Sequence, residues 1–156
     1  GKNNLKKDKK IIRAMKNILI LCTGNSCRSQ IAHGYFKKTF ENIANIYSAG
    51  IETHGLNINA VNTMKRDGID ISSFTSNNIN DYRQINFDFI ITVCDQANEN
   101  CPLFYSKKSK RIHKNFSDPS KVKNSKNIDK DFDVCRDKIK MFTADFKKKY
   151  FNLSNY

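Results

Sequence analysis

The sequence predicts a single-domain α/β sandwich of three layers, in which helices flank a central parallel sheet of four strands. Strand-like segments alternate with helix-like segments along the chain, and this alternation is typical of a parallel sheet. The first strand-like segment is a continuous apolar run, which indicates a strand buried on both faces. The length of 156 residues suits one domain of ordinary size.

Four segments are predicted to form the strands. Two of them are largely apolar runs that end at a cysteine. In chain order the four segments are residues 18–21, which end at Cys22, residues 45–49, residues 87–93, which end at Cys94, and the weaker residues 111–116.

The helices are predicted between and after these strands. Residues 29–40 and 58–67 are helix-like, the second stopping at Gly68 as a C-terminal cap, and residues 95–100 form a short polar helix. The last helix shows the clearest periodicity, with one face formed by Phe132, Cys135, Ile139, Phe142, Phe146 and Tyr150. On this face Cys135 is expected to pack as a small apolar residue. Residues 120–130, rich in Lys, Asn and Ser, are predicted to be a surface loop.

The charge is concentrated at one end of the chain. There are 28 basic and 15 acidic residues, a net charge of +13. Residues 1–16 hold seven basic residues and one acidic residue, so residues 1–15 are predicted to be a solvated, disordered tail. Its start at Gly1 suggests that the tail is partly derived from a tag. Residues 16–156 are assigned to the domain.

The composition also excludes several classes of protein. No apolar run reaches the roughly 18 residues of a membrane span, and no signal peptide is recognised, so we expect a cytoplasmic protein without a membrane partner. No pattern of basic and aromatic residues predicts a nucleic-acid module, although a polyanion-binding module using the basic arm is an alternative. We expect a monomer.

Five cysteines are present: Cys22, Cys27, Cys94, Cys101 and Cys135. None forms a C-x-x-C pair, which argues against a zinc ribbon or a thioredoxin-type motif, and no metal site is predicted. In a reducing compartment such thiols are more often catalytic or inert than structural disulfides.

The segment between the first strand and the first helix carries the predicted chemistry. Arg28 offers a planar fork that fits two oxygens of a tetrahedral oxyanion, and the helix start adds free donors. Gly24 and Asn25 tolerate the left-handed backbone that a tight loop needs. The predicted oxyanion-binding residues are therefore Thr23, Gly24, Asn25, Ser26, Cys27 and Arg28.

Cys22 is placed at the floor of this predicted loop. The positive surroundings favour its thiolate, which is the nucleophilic form of the side chain. The hydroxyl of Ser29 is expected to donate a hydrogen bond to the sulfur. The alternative is a buried cysteine at a strand end with Arg28 on the surface, but the apolar strand, the turn residues and the following helix together favour a nucleophile.

The spacing Cys-x5-Arg-Ser after a first strand resembles the signature of the low-molecular-weight phosphotyrosine phosphatase fold. The run Cys-Thr-Gly-Asn-Ser-Cys-Arg-Ser-Gln at residues 22–30 is similar to the thioredoxin-coupled arsenate reductases built on that fold. Residues 47–55 and 68–72 also look like that family. The resemblance covers roughly residues 16–150.

The resemblance implies a relay of three cysteines and a proton donor. Cys22 would attack arsenate, Cys94 would attack Cys22, and Cys101 would attack Cys94, leaving a disulfide that thioredoxin reduces. Asp118, followed by Pro119, matches the general acid of the family, although the residues before it depart from the family pattern.

The relay requires a movement of the chain. Two helical turns would separate Cys94 from Cys101 by about 10 Å along the axis, whereas a disulfide needs Cα atoms within about 7 Å. The intervening residues 95–100 are polar, so we expect this segment to unwind at little cost in core contacts.

No tightly bound cofactor is expected beyond arsenate, phosphate or sulfate in the loop. Some relatives bind potassium through side chains that match Asn25, His33, Ser48 and Asn77, and the loss of both carboxylates argues against a potassium site here. The alternative function is a tyrosine phosphatase that acts through a Cys22 phosphoenzyme, because this needs only Cys22, Arg28 and Asp118. The absence of aromatic residues after Pro119 counts against it, although residual hydrolysis of small aryl phosphates is expected.

Overall fold

Four parallel strands form the centre of the computed structural model, which describes residues 15–102 and 108–151. The strands are β1 (Lys16–Cys22), β2 (Ala44–Gly50), β3 (Phe89–Thr92) and β4 (Lys110–His113), and their order in the sheet is β2-β1-β3-β4. The helices are α1 (Arg28–Thr39), α2 (Ile58–Arg66), α3 (Asp95–Asn100) and α4 (Ile128–Tyr150). Two short 3₁₀ helices span Ile79–Tyr82 and Pro119–Lys121. The predicted fold class is confirmed.

The central strand β1 is the core of the sheet. Its residues Ile18 to Leu21 are all fully buried, because β2 and β3 flank it and helices cover its faces. The continuous apolar run in the sequence is therefore explained by the burial of β1 on both faces of the sheet. The strand delivers Cys22 to the carboxyl edge of the sheet, where ligands of open α/β sheets bind.

The two faces of the sheet carry different layers. Side chains alternate between the faces along each strand, so Phe89 and Tyr47 lie on opposite sides. Phe89 packs edge-on against Phe146 of α4, with ring centroids 5.4 Å apart. Tyr47 instead meets Tyr82 of the first 3₁₀ helix, at 5.3 Å. The sheet is thus the middle layer of three.

An aromatic cluster joins α1 to α4 on the first of these faces. The rings of Phe36, Phe40, Phe142 and Phe146 contact one another at centroid distances between 5.3 and 6.3 Å. Phe36 and Phe40 are stacked, and the other pairs are tilted or edge-on; stacked pairs with an offset and edge-on pairs are the arrangements that aromatic rings prefer. The helical face predicted from the sequence is confirmed, and Cys135 on it is buried.

The ends of several elements differ from the sequence-based prediction. β3 is shorter than the predicted residues 87–93, and Asp88 just before it accepts a hydrogen bond from the backbone amide of Asn17 at 2.8 Å. β4 ends at His113 rather than at residue 116. The first 3₁₀ helix was not predicted, although Asn78 and Asp81 form a capping box at its start.

The predicted loop over residues 120–130 was wrong at both ends. A 3₁₀ turn occupies its first part, and α4 already begins at Ile128, four residues before the first apolar residue of the periodic face. Asn127 caps this helix by accepting from the amide of Lys130 at 3.1 Å. Apart from the exposed Ile128, the first turn is polar and is held by a cap, so it adds little to the apolar face, which explains the late start of the prediction.

The predicted tail at residues 1–15 lies outside the described residues, except for Met15. The same holds for residues 103–107 and 152–156 of the assigned domain. Among the helices that the structure describes, none combines the length and the apolar character needed to cross a membrane.

Candidate active site

The loop between β1 and α1 turns its carbonyl groups away from the cavity that it borders. Every carbonyl of residues 22–27 accepts a hydrogen bond from the surrounding protein, the donors being Ile51, Glu52, His54, Ser76, Gln30, Asn57 and Ile31. In a trans peptide the N–H points opposite to the C=O. The amides of residues 23–28 are therefore directed into the loop, where an oxyanion would accept from them.

A chain of hydrogen bonds fixes the sulfur of Cys22. The Asn25 side-chain amide donates to Ser29 Oγ at 2.8 Å, and Ser29 Oγ lies 2.9 Å from Cys22 Sγ. Because Ser29 Oγ already accepts from Asn25, its own proton is available for the sulfur. Asn25 is left-handed, with φ of 46°, and its Oδ1 accepts from the amide of Asn77 at 2.8 Å. Asn25 thus orients Ser29 as well as permitting the turn.

Gly50 at the end of β2 allows this loop to approach the sheet. A Cβ at this position would lie 2.2 Å from the Glu52 carbonyl oxygen and 2.7 Å from the Asn25 amide nitrogen. Both neighbours are backbone atoms and cannot move aside cheaply. Only a glycine therefore fits beneath the loop.

Arg28 and Asp118 face each other across the mouth of the loop. Arg28 Nη1 donates to the carbonyl of Phe116 at 2.8 Å, and its Nη2 lies 3.5 Å from Asp118 Oδ2. The carboxylate also accepts from the amide and hydroxyl of Ser120, at 2.9 and 2.6 Å. The predicted anion-binding arginine and the predicted acid are thus brought together.

The pKa of Asp118 is lowered from its ordinary value. Burial raises this pKa, but the hydrogen bonds from Ser120 and the positive charges of Arg28 and Lys121 outweigh burial. Because the folded-state pKa is depressed, the ionised carboxylate stabilises the fold at neutral pH. That contribution is lost as the pH falls through the folded-state pKa.

Replacing Ser120 with alanine is expected to raise the pKa of Asp118 toward its ordinary value. The change removes the hydroxyl that donates to Oδ1 at 2.6 Å, while the backbone donor remains. Carbon-detected NMR titration of the Asp118 carboxyl in the two proteins measures this shift. Ser72→Ala is a matched control, since its hydroxyl lies beside Asp70 and not beside Asp118. An unchanged or lower pKa for Asp118 would contradict the assignment of Ser120.

Cys94 follows β3 and faces the same cavity as Cys22. The cavity has a volume of about 360 Å³, and both thiols line it together with Arg28 and Asp118. Cys94 Sγ lies 3.2 Å from the hydroxyl of Thr23 and is only 3% exposed. The parallel strands β1 and β3 are neighbours in the sheet, which is why these two strand ends meet.

Cys101 lies at the far end of α3, whose first flanking residue is Cys94. It is 7% exposed and does not line the cavity around Cys22. Burial raises the pKa of the Cys101 thiol, and the charge of Arg111 offsets part of this rise. The helix between the two thiols was predicted, so the need to unwind it for a Cys94–Cys101 disulfide stands.

The remaining cysteines are buried thiols. Burial and the neighbouring Asp118 carboxylate hold the pKa of Cys27 well above its usual range, and its sulfur lies 3.8 Å from Asp118 Oδ1. Burial raises the pKa of Cys135 to about 11. Both groups therefore stay protonated at neutral pH.

The side chains that match a family potassium site do not fit that ion. Ser48 Oγ lies 2.8 Å from His33 Nδ1. Both atoms of the Asn25 side-chain amide are engaged, because its nitrogen donates to Ser29 and its oxygen accepts from Asn77. Burial, with the charge of Lys37, lowers the pKa of His33 to about 4, so this imidazole is neutral at pH 7. Without a carboxylate the set lacks the ligand that a hard cation prefers.

Several residues that support the site were not predicted. Gln30 Nε2 bridges the carbonyls of Asn25 and Thr75, and Ser76 holds the carbonyl of Gly24. Ser120 orients Asp118. The contacts of Gln30 with Thr75 and of Ser76 with Gly24 join segments that are distant in sequence, so no local spacing could reveal them.

The fold and the loop define an α/β enzyme that places a cysteine and an arginine around an oxyanion-sized nest. A model of the family described as "Low molecular weight phosphotyrosine protein phosphatase" matches residues 17–150. The chain belongs to this family.

Relatives and solved structures agree with this membership. The arsenate reductase of Staphylococcus aureus (strain Newman) is 42% identical over 134 residues, which cover 86% of this chain and 98% of the relative. The arsenate reductase of Bacillus licheniformis is 50% identical over 107 residues, 69% of this chain and 76% of the relative. A structure described as an arsenate reductase in the phosphate-binding state has a TM-score of 0.75 at 27% identity, covering 86% of this chain and 98% of the other.

Proposed function

We propose that the protein reduces arsenate to arsenite through Cys22, Cys94 and Cys101, and that thioredoxin reduces the final disulfide. The observation that carries the proposal is the position of Cys94 on the same cavity as Cys22, with Cys101 at the other end of a short helix. A phosphatase needs only the first of these thiols. The arsenate reductases at 42 and 50% identity support the same substrate.

The first step forms a bond between sulfur and arsenic. The thiolate of Cys22 attacks the arsenic atom, and one oxygen leaves as water. The loop amides and Arg28 stabilise the charge on the remaining oxygens. The proton for the leaving oxygen comes from Asp118, whose protonated form is favoured once the negative charge of the substrate lies beside it.

The second and third steps move two electrons. The thiolate of Cys94 attacks Cys22 Sγ, the bond between sulfur and arsenic breaks, and its electron pair leaves with arsenic as arsenite. Cys101 then attacks Cys94 Sγ, forming the Cys94–Cys101 disulfide and releasing the Cys22 thiolate. A thioredoxin dithiol restores both thiols by exchange and becomes oxidised itself.

The cavity suits a small inorganic anion better than a tyrosine phosphate. Among the described residues that line it, none is Phe or Tyr, and the rim is formed by His54, Gln96, Asn115, Ser120 and Lys121. An aromatic substrate would find no Phe or Tyr ring among these described residues to stack on. We therefore place phosphotyrosine hydrolysis second, with slow hydrolysis of small aryl phosphates as a side activity of the same loop.

A coupled assay tests the proposal. The protein is mixed with arsenate, thioredoxin, thioredoxin reductase and NADPH, and the oxidation of NADPH is followed together with arsenite formation. We expect one arsenite per NADPH, with no oxidation when phosphate replaces arsenate. Hydrolysis of an aryl phosphate without arsenate-dependent oxidation would overturn the reductase in favour of the phosphatase.

A further inference from the structure

Polar contacts from β4 hold α3 in place on the second face of the sheet. All six residues of α3 are described, and only Ala97 among them is buried. Little apolar burial therefore anchors the helix, and its polar contacts decide how firmly it is attached. Three of these contacts come from alternate residues of β4 and its extension: Arg111, His113 and Asn115. We name these three residues the β4 clamp.

His113 and Asn115 hold the first residue of the helix. His113 Nε2 lies 2.6 Å from Asp95 Oδ1, and His113 Nδ1 lies 2.7 Å from the hydroxyl of the buried Thr92. A carboxylate can only accept, so Nε2 carries a proton and donates it to Asp95. The amide of Asp95 donates to Asn115 Oδ1 at 3.1 Å.

Arg111 holds the last turn. Its Nη2 donates to the backbone carbonyl of Asn98 and to Asn98 Oδ1, the latter at 2.9 Å. In a continuing helix this carbonyl would accept from the amide four residues on, but that residue is Pro102, which has no N–H. The guanidinium therefore takes the place of a missing helical donor.

The sheet register puts these side chains on the side where α3 lies. Arg111 pairs with Ile90 and His113 with Thr92, and both have the same parity as Leu19 and Tyr47 on β1 and β2. Lys110, on the opposite parity, instead reaches the ring of Tyr150 on α4, 4.6 Å from its centroid. β4 thus contacts α3 through residues on one face of the sheet and α4 through a residue on the other face.

We propose that the β4 clamp sets the redox balance of Cys94 and Cys101 by stabilising the helical dithiol form against the unwound disulfide form. This inference rests on the proposed relay, because the disulfide requires α3 to open. The contacts to Asp95 and Asn98 exist only while the helix is intact. Loosening them favours the disulfide and makes its reduction potential more negative, so that thioredoxin reduces it less readily.

The experiment compares Arg111→Gln, His113→Asn and the double variant with their parent, all in a Cys22→Ser background that cannot form mixed disulfides with residue 22. Each protein is equilibrated with reduced and oxidised glutathione. In this exchange the Cys94–Cys101 dithiol is oxidised to a disulfide while glutathione disulfide is reduced to two thiols. Alkylation and peptide mass spectrometry then give the fraction of Cys94–Cys101 disulfide. Hydrogen exchange of residues 95–101 is measured on the reduced proteins. Lys110→Gln is the matched control, since it loses one charge from the same strand on the other face.

The double variant is expected to shift the equilibrium about tenfold toward the disulfide, which corresponds to about 30 mV for two electrons. Exchange in α3 is expected to rise about tenfold, and Lys110→Gln to stay within twofold of the parent. A double variant that matches Lys110→Gln in both measurements would overturn the clamp. If neither the parent nor any variant forms the Cys94–Cys101 disulfide, the relay and the redox role of the clamp both fail, and hydrogen exchange then reports only whether the clamp holds α3. If the disulfide forms but the variants do not shift it, the clamp alone fails.

Discussion

Cys22→Ser is expected to abolish both arsenate reduction and aryl-phosphate hydrolysis, with rates at least about 10⁴-fold lower. In the proposed mechanism, each reaction begins with attack by this sulfur on the atom at the centre of the oxyanion. A serine hydroxyl in the same place is a far weaker nucleophile, because it is almost entirely protonated at neutral pH. Steady-state assays of both reactions, made on the same preparations, measure the loss.

The serine variant should keep the fold and the anion site. Ser29 remains within reach of the new hydroxyl, and Arg28 with the loop amides still surrounds the anion. Phosphate binding measured by calorimetry is therefore the control. Substantial turnover of either substrate by a variant that still binds phosphate would show that another group is the nucleophile.

Cys94→Ser and Cys101→Ser are expected to separate the two reactions. Arsenate turnover with thioredoxin should fall at least about 10³-fold in each, because the electron pair can no longer reach a terminal disulfide. Aryl-phosphate hydrolysis should stay within about threefold of the parent, since it needs only Cys22, Arg28 and Asp118. Coupled NADPH oxidation and chromogenic phosphate release give the two rates.

Cys135→Ser is the matched control for these variants. This thiol is buried on α4, and its sulfur lies 3.8 Å from the carbonyl of Ser117, outside the cavity around Cys22. Both activities should survive this change. If Cys94→Ser and Cys101→Ser keep both activities, the phosphatase is favoured over the reductase. If Cys135→Ser loses arsenate turnover, this thiol belongs to the relay.

The sequence predicts the site best where its parts are close along the chain. Cys22, Arg28 and Ser29 belong to one strand–loop–helix unit, and an apolar strand followed by turn residues leaves few ways to arrange them. The hydrogen bond predicted from Ser29 to the sulfur has a partner in the structure at 2.9 Å. Local chemistry therefore predicts the floor of the site.

The walls of the site follow from packing between distant segments. Asn25 was expected to serve the turn and the oxyanion loop, yet its side chain also orients Ser29 and accepts from Asn77, 52 residues away. The clamp residues Arg111 and His113 gave no signal, because nothing in their spacing says which helix the strand will face. Such contacts depend on strand order and register, which periodicity alone does not determine.

The most direct test of the relay is a single turnover of Cys101→Ser with one equivalent of arsenate and no added thiol. This variant retains the first two sulfurs and should stop after Cys94 has attacked Cys22. Non-reducing peptide mapping and arsenite analysis are made on the same sample. We predict one Cys22–Cys94 disulfide and one arsenite per protein. Arsenite released without that disulfide, or arsenate left unreduced by a protein that binds it, would contradict the central claim.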